Sequence, residues 1–339
     1  MKNRSDQHRL IGVQLEITNK CNLRCVHCYT NSGEKRPKEL TFKELKRLID
    51  ELANLGVAEI SLSGGEPLLR KDFVKIAKYI KKYDIDLTLN TNGTLLNKNK
   101  VQTLTDLKFD FVSVSIHGNN PKIHNQITQS LNSYEKAING IKILKSEGVR
   151  VGITAAITNL NINEISLIFE KSLELGVDSF YTFRFLPIGR GKMYSKELEI
   201  TPKQHKMLLE TLREKEKKCN VRLAVQAPFF FEGDIQESNI ITCMAGKNIC
   251  SVTCTGDVLG CAGLRDQELV AGNIRKRRFT DIWHNSSILN ILRRRNFAQE
   301  IEGFCRKCEY NYICKGGCRA TTYTYTGNIF GSDPTCWME

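Results

Sequence analysis

The feature that most constrains this chain is an alternation: from residue 12 to about 215, short β-branched runs take turns with amphipathic helical stretches. The strand candidates are 13–18 (VQLEIT), 59–64, 86–93, 111–118, 149–158 and 179–189. Between them, 42–56, 71–83, 133–148 and 161–176 carry apolar residues at helical spacing, and three of these stretches stop at Gly. Six such β/α units predict a parallel sheet with right-handed crossovers, open or curled into a partial barrel, with functional residues at the strand C-terminal ends. After a charged helix expected at 202–218 and a strand-like RLAVQA, the periodicity fades, and from Cys243 turns and cysteines replace it. The expected division is an N-terminal tail (1–11), an α/β barrel (12–218), a linker (219–242) and a small cysteine-rich domain (243–339). With few apolar runs, this last part needs bound metal for some of its folding energy.

No apolar run approaches the length that spans a bilayer, and MKNRSDQHRL lacks the apolar segment of a secretion signal, so a cytoplasmic location and no membrane partner are expected. In that compartment the 13 cysteines read as metal ligands rather than disulfides. They are unevenly placed: three at 21–28, nine at 243–336, and only Cys219 apart, where a core or idle thiol suffices. The opening group, CNLRCVHC, directly follows the first strand. Three thiolates leave a soft metal centre one ligand short, and what fills the gap decides the chemistry.

The C-x3-C-x2-C spacing, with Tyr29 after the last cysteine, resembles the radical SAM superfamily. The resemblance implies that Cys21, Cys25 and Cys28 hold a 4Fe–4S cluster whose fourth iron is chelated by S-adenosylmethionine (AdoMet). The missing ligand is then the cosubstrate. It further implies that an electron entering the sulfonium releases a 5′-deoxyadenosyl radical, which removes an unactivated hydrogen while the protein orients and shelters. Gly64-Gly65-Glu66-Pro67 resembles the family's GGEP segment, whose backbone and Glu receive the methionine ammonium. Tyr29, Asn92 of Thr91-Asn92-Gly93, and Ser115, near Ser113, complete the implied AdoMet contacts. Family members often carry Asp where His117 stands, so His117 receives no role, and His27 takes the loop's hydrophobic position. Arg184 and Arg190 read either as bidentate carboxylate partners or as structural arginines.

The C-terminal series, Cys243, Gly256, Cys261, Cys305, Cys308, Cys314, Cys318 and Cys336, resembles the SPASM domain that follows some radical SAM barrels, and AGNIRKRRFTDIW resembles its connecting segment. By position, Cys305, Cys308, Cys314 and Cys336 would ligate one auxiliary cluster. Cys243, Cys261 and Cys318 would hold the other, with Cys250 or Cys254 or an open iron in the fourth place. Three clusters lower the formal charge of +13 to about +8. The runs Arg275–Arg278 and Arg293–Arg295 then read as solvated faces. Auxiliary clusters suit a net two-electron oxidation, or a structural or substrate-anchoring role.

The resemblance covers about residues 13–336 and implies a maturase that modifies a ribosomally made peptide or protein by crosslinking or epimerisation. Sulfatase maturation fits less well, because Ala262 stands where that group has Asp after the matching cysteine. Only twenty residues precede Cys21, so a peptide substrate implies a separate leader-binding protein or direct docking. An electron donor such as a flavodoxin or ferredoxin is also implied. The alternatives are a tetrapyrrole substrate, as in heme biosynthesis, and a zinc-rich nucleic-acid-binding protein suggested by the basic runs.

Overall fold

Val13, Leu15 and Ile17 alternate with Gln14 and Glu16 along the first strand, and the same contrast recurs along β2 to β4. The structure, a computed structural model, describes residues 9–34, 38–219, 221–226, 243–294 and 297–338. Strands β1 (Gly12–Thr18), β2 (Glu59–Gly64), β3 (Asp86–Thr91), β4 (Phe111–Ser115), β5 (Val151–Ile157), β6 (Ser179–Arg184) and β7 (Arg222–Gln226) run parallel and pair in chain order. Helices α1 (Phe42–Asn54), α2 (Phe73–Ile80), α3 (Lys98–Asp106), α4 (Pro121–Thr128), α5 (Ser133–Ser146) and α6 (Ile165–Glu174) make the crossovers up to β6. The short α7 (Ser195–Leu198) and α8 (Pro202–Glu216) lead to β7.

One face of the sheet packs its Val, Leu and Ile side chains against these helices in a single core. On the opposite face, polar side chains from β1 to β5 knit across strands, while β6 presents Tyr181 and Phe183. Gln14 donates to Ser63 (3.2 Å), Asn90 donates to Ser61 (2.8 Å), and the Ser113 and Thr154 hydroxyls pair. Helix starts follow local chemistry: Thr41 and Glu44 close a capping box at α1, and Thr201 and Gln204 do so at α8.

Three features differ from the sequence expectation. Helices α3 and α4 went unread because they are polar, with only Val101 and Leu104 of α3 buried among its apolar residues. Of the expected linker, residues 220 and 227–242 lie outside the described residues, as do 1–8 of the expected tail, while Arg222–Gln226 joins the sheet beside β6. The cysteine-rich part is also continuous with the barrel sheet. Its first strand, β8 (Ile249–Val252), pairs parallel with β1, and β9 (Asp257–Leu259) and β10 (Val270–Asn273) extend it antiparallel. Helix α9 (Phe279–Asn285) adds Phe279, Ile282 and Trp283 to the same core. Among the described residues no helix is long and apolar enough to cross a membrane.

Candidate cluster and AdoMet site

The loop after β1 is held in place from four directions. Gly65 and Glu66 donate their backbone N–H groups to the carbonyls of Thr18 (2.8 Å) and Lys20 (2.8 Å). Arg24 and Val26 donate to the carbonyls of Thr128 and Ile127 at the end of α4, and Gly33 closes the loop onto Asn19. Gly64 must be glycine: its φ is +133° and a Cβ would stand 2.2 Å from the Thr18 oxygen. The fourth hold comes from residues the sequence left ambiguous or silent. Arg190 donates its backbone N–H to the Cys28 carbonyl (2.9 Å) and its guanidinium to the Cys25 (3.1 Å) and Ser32 (2.8 Å) carbonyls. Gly189, at φ +59°, lies so close that a Cβ would meet the carbonyl oxygens of Tyr29 (2.4 Å) and Cys28 (2.6 Å).

This frame gathers Cys21, Cys25 and Cys28 into one electrostatic neighbourhood. Burial, then the neighbouring cysteines, pushes the Cys25 thiol well above its usual range, and burial does the same to Cys21. Buried thiolates this close repel one another unless a cationic core neutralises them, which is the chemistry of a metal cluster. The Leu23 N–H donates to the Cys21 sulfur (3.4 Å), and the Thr30 hydroxyl lies 3.2 Å from the Cys28 sulfur.

The residues expected to contact AdoMet converge on this loop in part. Asn92 donates its side-chain N–H to Asn22 (3.0 Å) beside Cys21, and its backbone N–H to Glu66 (2.9 Å). Glu66, however, is fully buried, and its carboxylate is occupied by Thr91, Asn92 and the Leu68 N–H. Glu66 therefore ties the turn after β2 to the end of β3. Burial pushes its pKa up to about 7. The Tyr29 hydroxyl accepts from Gln14 (2.9 Å) on the sheet face where half-buried Ser115 also lies, directly beside Thr154 in register. His27 and His117 meet edge to face at 4.3 Å, and burial keeps both neutral, with His27 lowered to about 4. The Nδ1 of His117 accepts from the Ala156 N–H (3.3 Å).

In the cysteine-rich part, Cys314 and Cys336 lie in the field of Cys305, and Cys336 also in that of Cys308. Burial, first, pushes Cys314 up to about 12 and Cys336 up to about 11. Cys243, Cys261 and Cys318 form a second set, with Cys261 pushed up to about 12 by burial and its two neighbours. The two candidates for the fourth ligand are both buried. Cys250 sits on β8 opposite Val13, buried in the core near Arg293, and buried Cys254 lies in the field of Arg265 and Arg275. Among the described residues no three Cys, His, Asp or Glu side chains converge on the point one zinc ion would occupy.

Arg184 is spent internally as well. It pairs with Asp333 (3.0 Å), and Asp333 also accepts from the Cys318 N–H and from Thr335. The carboxylate-partner reading of Arg184 and Arg190 is therefore corrected: Arg184 stitches β6 to the C-terminal cysteines, and Arg190 clamps the first loop. The basic runs are similarly engaged, Arg275 with Glu44, Arg277 with Asp281, Arg294 with Glu300, while Arg293 is buried over Trp283. Arg278 remains exposed, and Arg295 lies outside the described residues.

Fold and thiols together define an iron–sulfur enzyme that acts through AdoMet. Residues 15–171 match the radical SAM superfamily model, and residues 243–309 match the SPASM iron–sulfur cluster-binding domain. An AdoMet-dependent heme synthase from Methanosarcina barkeri is 34% identical over 95% of this chain and 94% of its own length. The chain therefore belongs to the radical SAM superfamily, in its SPASM-bearing branch. A mycofactocin maturase from Mycobacterium tuberculosis is 29% identical over 95% of this chain and 81% of its own. Among solved structures, Streptococcus suis SuiB bound to S-adenosylmethionine superposes with a TM-score of 0.78 at 18% identity, covering 97% of this chain and 77% of SuiB. AdoMet-bound anSMEcpe superposes at 0.77 with 20% identity, covering 96% and 94%. These two show the shared fold. The protein is a radical SAM enzyme whose cofactors are 4Fe–4S clusters and AdoMet.

Proposed function

We propose that this enzyme completes a tetrapyrrole, oxidising propionate side chains of an iron porphyrin in AdoMet-dependent heme formation. The observation that carries the reading is the 34% identity to a heme synthase across 94% of that protein, joined by two further heme synthases at 29% and 27%. Heme bears vinyl groups, and a propionate becomes a vinyl by losing one hydrogen atom, carbon dioxide and one electron. That is the net two-electron oxidation expected of a chain with auxiliary clusters.

In this reading Cys21, Cys25 and Cys28 would hold the first cluster, Cys305, Cys308, Cys314 and Cys336 one auxiliary cluster, and Cys243, Cys261 and Cys318 the other. Bound there, the first cluster and AdoMet supply the 5′-deoxyadenosyl radical. The chain's own contribution is placement. Gly64 and Gly65 let the turn after β2 pack directly on the Thr18 and Lys20 carbonyls of the cysteine loop, Glu66 fixes Asn92 beside it, and Arg190 holds the loop closed. The hydroxyl and amide groups of Ser61, Ser63, Asn90, Ser113 and Thr154 offer a neutral hydrogen-bonding wall for a substrate.

A peptide substrate is the second reading, supported by the mycofactocin maturase similarity. The test is a pair of anaerobic reactions with AdoMet and reductant, one containing a propionate-bearing iron porphyrin and the other the host's peptide fraction. Conversion of propionates to vinyls with matching 5′-deoxyadenosine supports the first reading. Deoxyadenosine stimulated by peptides alone would replace it with the second.

A further inference from the structure

Arg265 follows Cys261 by four residues, yet its side chain reaches into the barrel half of the molecule. Its Nη1 and Nη2 meet the two carboxylate oxygens of Glu16 on β1 at 2.6 and 3.0 Å. Nη1 also donates to the Ala262 carbonyl (3.3 Å). The guanidinium carbon stands 5.5 Å from the centre of the Tyr29 ring, and Tyr29 is covalently next to Cys28. At its far end the Tyr29 hydroxyl is fixed by Gln14. Glu16 is 2% exposed, and the Tyr29 hydroxyl lies in the combined field of Glu16, Arg265 and Cys28.

A buried ion pair gains little net stability over an apolar contact of the same volume. Stability alone therefore leaves this arrangement unexplained. Its position is more informative, because one cation touches the loop of the first cysteine set and springs from the loop of the second. Charges held in a sheltered interior act on a neighbouring cluster with little screening. A cation favours the reduced, more negative cluster, and an anion opposes it.

We propose that Arg265 is a positioning residue for the first cluster: it fixes Tyr29 and hence Cys28 against the Cys261 loop, and with Glu16 forms a balanced pair that sets that cluster's reduction potential. The proposal rests on the reading that Cys21, Cys25 and Cys28 hold the AdoMet-binding cluster. Arg265→Met then leaves the Glu16 charge alone and moves the potential negative. Glu16→Gln leaves the cation alone and moves it positive. The double variant returns towards the wild type, and Arg265→Lys, which keeps the charge, stays near it.

The experiment is a reductive titration of the fully cluster-loaded protein followed by electron paramagnetic resonance, with and without AdoMet, so that the AdoMet-responsive signal is tracked apart from the auxiliary ones. Shifts of opposite sign in the two single variants support the proposal. Shifts of the same sign, or none, overturn it, since a purely structural pair would perturb the site alike from either side. If Arg265→Met does not fold, Glu16→Gln against the wild type decides: a positive shift supports the proposal, and an unmoved potential refutes it. Failure of the underlying reading looks different. It is a wild-type protein with no AdoMet-responsive signal, or one whose signal survives Cys25→Ala.

Discussion

Replacing Arg184 by Met strands the Asp333 carboxylate in the interior. The two side chains are 6% and 1% exposed, so water cannot take over from the lost guanidinium. Burial alone would raise the Asp333 pKa, but Arg184 beside it prevails and holds the carboxyl below its usual 3.8. An acid with a depressed pKa contributes stability that is complete above its unfolded value and is lost as pH falls through the folded one. At neutral pH the pair is therefore fully charged, and the whole penalty falls on the variant. Removing one partner of a buried pair costs about 3–5 kcal/mol, against a total of roughly 5–15 kcal/mol for a domain. Asp333→Asn removes the ion-pair partner of Arg184, and its amide replaces one of the two oxygens that accept from Cys318 and Thr335. The double variant Arg184→Met/Asp333→Asn should recover part of the loss, with a coupling energy of about 1–3 kcal/mol. The assay is anaerobic urea unfolding of cluster-loaded protein at neutral pH, followed by tryptophan fluorescence, to which Trp283 and Trp337 contribute, and by cluster absorbance. Single variants within about 0.5 kcal/mol of wild type, with no coupling, would refute the argument that this pair joins barrel and cysteine-rich part.

Glu66, with a pKa raised from 4.5 to about 7 by burial, contributes stability that is complete below pH 4.5 and lost as pH rises to about 7. That loss is about 3 kcal/mol, and Glu66→Gln should flatten this slope in pH-dependent unfolding measurements. Gly189→Ala should empty the first cluster site while sparing the auxiliary ones. Left-handed backbone costs an L-residue about 1–2 kcal/mol, and the new Cβ would also press on the Cys28 and Tyr29 carbonyls. Iron and sulfide per chain should fall by one cluster's worth, and unchanged iron would show that the loop tolerates the strain. Cys250→Ala should keep all its iron and lose about 1 kcal/mol of stability, as for deletion of a small buried group. Loss of cluster iron would instead return Cys250 to the ligands.

The parallel strands were legible because each is a short run with β-branched residues on a sheet buried against helices, and the cysteines stood out by their spacing. The polar helices α3 and α4 were not, since Lys98–Asp106 presents too few apolar residues for a helical period, although Asn97 caps its start. Strands β8 to β10 are three or four residues long, and β8 joins the sheet through β1, far away in sequence, which no local pattern encodes. Cys250 illustrates the limit. In ICSV, Cys250 and Val252 alternate with Ile249 and Ser251, a strand signal that places Cys250 on the side of Val13 and Leu15. Spacing to the other cysteines carried no such information. Arg184, Arg190 and Arg265 were ambiguous or silent because their partners, Asp333, the Cys25 and Ser32 carbonyls, and Glu16, are joined to them only by the fold. The Gly64-Gly65-Glu66 motif was recognisable, but that its carboxylate faces inward became visible only with Thr91 and Asn92 around it.

The central claim is that the loop of Cys21, Cys25 and Cys28 generates a radical from AdoMet. It is tested most directly by measuring 5′-deoxyadenosine from fully cluster-loaded protein under anaerobic reduction, beside a Cys25→Ala variant that retains its auxiliary iron. The account predicts deoxyadenosine from the wild type, increased by substrate, and none from the variant. Iron-replete wild type that forms none, or a variant that forms as much, would contradict it.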